Sequence, residues 1–291
     1  MRFFALFLLV FTALTKAETV LTYPHQSFSD GYPLTLLKLA LEKAAPAEQY
    51  KLEESTIETH QGRALKLLAQ NVEIDVAWSM TSIARENELL AIKIPIYKGL
   101  FGYRVFLIKQ EQQAHFSTSL PLSVLQNERL AVQGHDWPDI EVLKHNNYKV
   151  ESVEFYDAMF ELLHKGRADY FPRSILEAWR EAATHKAEGI VVEQHHLLHY
   201  PAYVFYFVHK DNKNLAHTIK KGLLASIEDG SFDVLFDTIE DGAIAKTDIP
   251  KRRVIQLTNP TIDTRDVYQW PKLQDISLSV DTTQPEGIKT N

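Results

Sequence analysis

The chain has 291 residues, 45% of them hydrophobic and 24% charged, with a formal net charge of −7 and no cysteine. That length supports a packed core in roughly two domains, and the missing cysteine excludes disulfides and a lipid-anchored cysteine. The acidic balance comes without a basic stripe or zinc-finger or RNA-binding spacing, so no nucleic-acid partner is expected and any anion site must be made by local donors.

Arg2, the apolar stretch 3–14 (FFALFLLVFTAL) and the small Ala17 have the layout of a secretory signal peptide, residues 1–17. The run falls short of the roughly 20 residues of a membrane span. Cleavage is expected after Ala17, and no later segment reaches spanning length. Residues 18–23 (ETVLTY) read as a strand stopped by Pro24, and a polar loop (25–33) leads into helical spacing over 34–45. Residues 51–56 read as a second strand, 62–71 as a helix and 73–78 (EIDVAW) as a buried strand. The segment 79–87 (SMTSIAREN) then separates that strand from a second apolar run, 88–97. Residues 101–119 read as a strand running into a polar connector.

The rhythm then repeats, with a strand at 128–134, a helix at 137–147, a strand at 148–155, a helix at 156–167, a strand at 168–171 and a helix at 174–185. A β-rich stretch covers 191–211, followed by helices at 214–230 and 233–239 and a polar tail from Asp263. Strand, loop and helix in alternation predict an α/β fold of mostly parallel sheets flanked by helices.

Arg85 is the charge that stands out, alone among small hydroxyl residues between two core-bound runs. Ligands of parallel α/β lobes sit at the carboxyl ends of strands, against helix starts. Thr81 and Ser82 fall just past such a strand end, where backbone N–H groups and a hydroxyl can meet an anion. The Arg85 guanidinium adds a planar fork suited to a carboxylate; a surface pairing with Glu86 or Glu88 is the alternative. Tyr23 and Trp78 end two strands and could wall a small-molecule cleft, or pack in the core. In 134–139 (GHDWPD), Gly134, Asp136 and Pro138 serve a tight turn and a helix start, while Trp137 could face ligand. The 195–199 segment (HHLLH) has metal-ligand residue types without the glutamate of a zinc-protease helix, and satisfied loop histidines are expected. No nucleophile elbow, phosphate loop or catalytic cysteine occurs.

Four segments in order carry a resemblance: 74–87 (IDVAWSMTSIAREN), 94–99 (IPIYKG), 128–144 (ERLAVQGHDWPDIEVLK) and 162–174 (LLHKGRADYFPRS). With these, the chain from about 19 to 240 resembles the type II periplasmic solute-binding proteins, in particular their polar amino-acid branch. The resemblance implies two α/β lobes joined by strands crossing near 101–109 and 201–208, with ligand gripped between them. Lobe one would be 18–103 plus 206–262, lobe two 104–205, and 263–291 a tail. It further implies that Ser82 and Arg85 hold the ligand's carboxylate. The family's ammonium-gripping aspartate falls, counting from Asp169, on Ser174 beside Arg173. An arginine there disfavours an ordinary amino-acid ligand and favours a second acidic group, unless Arg173 instead bonds Glu177 one turn on. The expectation is a periplasmic, non-enzymatic monomer that captures a small carboxylated solute for a membrane permease or sensor, with no cofactor and no metal. A dehydratase-like enzyme on the same fold is the alternative, with His135 and Asp136 as its acid–base candidates, and an Asp136–Asp169 pair as a weaker one.

Overall fold

The computed structural model describes residues 18–25, 31–45, 50–240 and 242–270; the expected signal peptide and the tail beyond 270 lie outside the described residues. The chain runs β1 (Thr19–Tyr23), α1 (Tyr32–Ala44), β2 (Tyr50–Glu54), α2 (Gln61–Ala69), β3 (Val76–Met80), α3 (Ile83–Glu88), β4 (Leu90–Ile92) and β5 (Tyr103–Lys109). It continues α4 (Leu122–Asn127), β6 (Leu130–Gly134), α5 (Asp139–His145), β7 (Lys149–Val153), α6 (Tyr156–His164), β8 (Phe171–Ser174), α7 (Ala178–Thr184), β9 (Ile190–Val192) and β10 (His196–His199). The last elements are β11 (Val204–Val208), α8 (Lys213–Glu228), α9 (Ser231–Glu240), α10 (Ala243–Thr247) and β12 (Arg253–Gln256).

These elements form two α/β lobes. In the first, β1 pairs with β2 in parallel and β11 lies between β3 and β4. In the second, β5 is flanked by β8, β9 and β10, and β6 pairs with β7 in parallel and bridges to Tyr170 just ahead of β8. Every antiparallel pairing involves β5 or β11. Those two strands follow the crossing segments near 101 and 201 and run against the strands beside them.

β11 illustrates how sequence becomes core. All five of its residues are buried, a short apolar run of the kind that occupies a sheet covered on both faces. Side chains alternate along a strand: Phe205 and Phe207 pack with Leu65 and Leu68 of α2, while Val204, Tyr206 and Val208 join the larger cluster that holds Leu36, Leu37 and Ala40 of α1. That face of α1 reads at helical spacing in the sequence, and Gly31, in the left-handed region at φ 78°, precedes its proline-containing first turn.

The crossings are tight. The Tyr200 amide donates to the Gly102 carbonyl at 3.2 Å, and a Cβ on Gly102 would lie 2.0 Å from the Tyr200 carbonyl oxygen. Only glycine lets the two connecting segments approach this closely.

One boundary differs from the sequence expectation. The stretch 206–262 does not belong wholly to the first lobe, because β12 pairs in parallel with β10 of the second, and the Trp179 indole donates to Thr247 in α10. The chain then returns, with the Ile83 amide on the Thr261 carbonyl and the Trp270 indole on the Pro95 carbonyl. RVIQ suits a strand in either lobe, so only pairing decides.

Candidate functional site

β3 is buried along its whole length and delivers the chain to the cleft side of the first lobe. Thr81 leaves the strand with its amide on the Tyr203 carbonyl at 2.7 Å, in a crossing segment, and its hydroxyl on Glu86 at 2.7 Å. Ser82 caps α3, its hydroxyl accepting from the Arg85 amide at 3.2 Å, the usual way to satisfy a free helix-start donor. The Arg85 side chain folds back from α3 and donates to the Ser79 hydroxyl, the Met80 carbonyl at 2.6 Å and the Gln61 side chain at 3.1 Å. Its fourth side-chain bond, at 2.8 Å, goes to the carbonyl of Asp136, just past β6 in the other lobe. Arg85 thus spans the cleft, and every oxygen it reaches is neutral. Burial pulls its pKa down to about 10, opposed by the nearby Asp136 and Asp139 carboxylates, so it stays charged at neutral pH.

Asp136 also engages the first lobe through its side chain. Its carboxylate faces His60 Nδ1 at 2.8 Å and accepts the Gly62 amide in the first turn of α2. A carboxylate there meets a free helix-start donor and the positive end of the helix dipole. A Cβ on Gly62 would lie 2.6 Å from the Asp136 carboxylate oxygen, so the glycine makes room for this approach. The ring of His135, an exposed residue, packs edge-on against that of His60 at 4.8 Å.

Tyr23 and Trp78 come together, stacked at 6.0 Å. Trp78 is buried and also packs edge-on against Tyr206. It lines a cavity of about 20 Å³ with Pro24, His25, Thr59 and Gln61, room for about one water. Burial, with the Glu54 charge adding to it, raises the Tyr23 phenol's pKa.

The second-lobe candidates form a separate group. Arg173 is buried with its guanidinium 4.9 Å from the Trp137 ring and 5.0 Å from that of Phe171. It bonds Glu181 at 2.6 Å and Glu177 at 2.8 Å, so the one-turn pairing with Glu177 is present. Tyr156 donates to Glu181 at 2.5 Å. Ser174 is buried and pairs in register with Arg104 of β5, and its hydroxyl accepts from the Leu176 amide at 3.3 Å.

Arg104 was not foreseen. It is 1% exposed, bonds Asp139 at 2.8 Å, lies 3.7 Å from Glu177 and sits 4.3 Å over the Phe101 ring. Tyr200 donates to the same Asp139 at 2.5 Å. Burial works against both arginine charges, yet the surrounding carboxylates outweigh it and raise both pKa values; for Arg104 Asp139 is the main one, for Arg173 Glu177 and Glu181. A charge one residue into a strand whose middle is apolar (YRVFLIK) was the available signal for Arg104. His60 and Gln61 gave none, since their role depends on what the other lobe brings to them.

Asp136 and Asp169 do not meet. Asp169 holds the Leu130 amide at the start of β6, and Asp136 lies beyond its other end. Two of the 195–199 histidines have ring partners: His196 is buried with Nδ1 3.3 Å from Glu193, and His199 contacts Gln256 at 2.8 Å and stacks on Tyr103, while the His195 amide bonds Glu193. Burial lowers the pKa of His199.

No family model and no curated protein matches the chain in sequence. Solved structures match it in fold. An ancestral arginine-binding protein bound to arginine is 14% identical, with TM-score 0.59, covering 76% of this chain and 98% of that one. The VFT2 domain of Bordetella pertussis BvgS is 14% identical, with TM-score 0.60 over 77% and 93%. The amino-acid ABC transporter substrate-binding protein AbpA of Streptococcus pneumoniae, bound to L-arginine, is 14% identical, with TM-score 0.57 over 78% and 96%. The fold is therefore the two-lobed type II periplasmic-binding-protein fold. The first and third of these are binding proteins. Among the described residues no helix is long and apolar enough to cross a membrane.

Proposed function

We propose that this chain is an exported, periplasmic solute-binding protein that closes on a small carboxylate-bearing solute at the Arg85 end of the cleft, for an ABC-type uptake system. The observation that carries this reading is the reach of Arg85 from the first lobe to the Asp136 carbonyl of the second. A charged guanidinium held by neutral oxygens across a hinge can exchange some of them for a carboxylate, a stronger acceptor. Thr81 and Ser82 position it, and Tyr23 and Trp78 form the adjoining aromatic wall.

Arg173 and Ser174 belong to the opposite wall. Because Arg173 already carries Glu177 and Glu181, it shapes that wall together with Trp137, and the second lobe offers no aspartate at Ser174 for an ammonium. A solute with a carboxylate and no strong demand for ammonium recognition fits both walls. Binding shifts an open–closed equilibrium because only the closed form brings both lobes to the solute, and a membrane permease or sensor reads the closed form.

A thermal-shift screen of amino acids, dicarboxylates and small aromatic acids tests the reading, since a specific ligand raises Tm with its excess over Kd. Calorimetry on Arg85→Ala with the best hit follows. Undiminished affinity would remove Arg85 as the carboxylate clamp, and turnover of the hit would replace the binding protein with an enzyme.

A further inference from the structure

We propose that His60, His135 and Asp136 form a divalent transition-metal site between the lobes, with Zn2+ the ion best matched to it. One ligating atom from each of the three residues lies within 4.8 Å of the other two. Two imidazoles and a carboxylate are the donor set that zinc takes in three-ligand sites, where the fourth position stays open to water or an incoming oxygen.

The three residues sit where an ion can assemble them. His60 precedes α2 in the first lobe, while His135 and Asp136 follow β6 in the second. The two rings meet edge to face at 4.8 Å with 66° between their planes, and the Asp136 carboxylate closes the third side through His60 Nδ1. The Gly62 amide already orients that carboxylate, as second-shell donors do for metal ligands. His135 is exposed and the His60 side chain is 34% exposed, which gives an ion a path in.

His60 Nδ1 also carries conflicting demands. It accepts the Arg63 amide at 3.4 Å as the helix cap and faces the Asp136 carboxylate oxygen at 2.8 Å. One ring nitrogen cannot accept from the first and donate to the second in the same state, so the long cap bond and the carboxylate contact exclude each other. A cation bound to both groups takes the lone pair that the cap bond would use, and the two atoms move apart from 2.8 Å to stand about 2 Å from the ion each.

The Arg85 guanidinium, bonded to the main chain of the same Asp136, opposes a second positive charge. The carboxylate offsets it and sets an affinity below that of a closed four-ligand site. Because the ligands come from both lobes, the ion binds the closed form alone and holds it closed.

The test uses tag-free protein and Zn2+ alone, without any organic solute, so its outcome is independent of the solute reading. Isothermal titration is expected to show one saturable Zn2+ per chain, with affinity reduced at least tenfold in His60→Ala and in His135→Ala and unaffected by millimolar Mg2+. Small-angle scattering is expected to show Zn2+ narrowing the distance distribution of the wild type and not of His135→Ala. Asp136→Asn, which keeps the oxygen that accepts from Gly62, also lowers the affinity. Circular dichroism confirms that each variant is folded. Absence of saturable binding to the wild type, or stoichiometric binding that survives both histidine substitutions, overturns the proposal.

Discussion

Arg85 and Arg173 stand at corresponding places, each close to the end of a buried strand that faces the cleft, one in each lobe. Their surroundings are opposite. Arg173 is locked by Glu177 and Glu181 within its own lobe; Arg85 rests on a hydroxyl, an amide oxygen and two carbonyls, one of them from the other lobe. A guanidinium neutralised by buried carboxylates is a structural element, because removing either partner leaves an uncompensated buried charge. One held by neutral oxygens keeps an unspent charge and can take an anion. Chemistry available to a ligand thus depends on what compensates the arginine rather than on its position in the chain.

Breaking the Arg173 side carries the largest expected effect. Arg173→Ala should cost about 3–5 kcal/mol, the usual cost of orphaning one member of a buried pair, read by urea denaturation. A loss under 1 kcal/mol would mean that Glu181 relaxes into solvent and that the two regions differ less than their bonding suggests.

Arg85→Ala should act on affinity instead. Losing charge-assisted hydrogen bonds to the solute corresponds to about 1.5–3 kcal/mol, read by calorimetry, with the smaller change in Tm. A variant that loses stability as heavily as Arg173→Ala would erase the contrast.

Acid sharpens it further. The Arg173 guanidinium holds the Glu181 carboxyl below its usual range, against the opposing effect of burial. Its contribution to stability is present above the unfolded-state value of about 4.3 and is lost as pH falls through the lower folded value. Without Arg173, burial pushes Glu181 upward against only the Tyr156 hydrogen bond and the Arg180 charge, so folding then depends less on an ionised carboxylate. The stability deficit of Arg173→Ala relative to wild type should therefore shrink on acidification from neutral pH. The oxygens that Arg85 bonds do not titrate, and the Asp136 and Asp139 carboxylates act on it only through space, so an Arg85→Ala deficit should change less over the same range.

The smallest effect is expected from Gly62→Ala. Its Cβ would press on the Asp136 carboxylate oxygen at 2.6 Å, and a flexible side chain can give way. The result should be a slightly looser closed form, seen as a modest rise in radius of gyration with little change in Tm. An unchanged radius would show that the Asp136 contact does not hold the lobes together.

Much of this was legible along the chain. The apolar run 73–78 gave β3, displaced toward its carboxyl end by two or three residues because Ser79 and Met80 continue into the pairing with β11. Helical spacing gave α1, α2, α6 and α8. The small polar residues around Arg85 marked the turn after the strand, while the short helix α3 and its Ser82 cap were not read from the sequence. By contrast, the HHLLH segment has metal-ligand residue types, yet His196 and His199 lie at the two ends of β10 with separate partners, whereas His60 and His135, 75 positions apart, share a cluster with Asp136. Ligand clusters drawn from two lobes have no sequence spacing to reveal them.

The sequence by itself determined the alternation of strand and helix, the location of the buried strands and the isolated arginine after β3, because hydrophobic period and capping act over a few residues. Which lobe β12 joins, which carboxylates neutralise Arg104 and Arg173, and that Asp136 meets His60, Gly62 and Arg85 were decided only by the tertiary structure. Those pairings join residues far apart in the chain, and their energies exist only once the lobes have folded and faced each other.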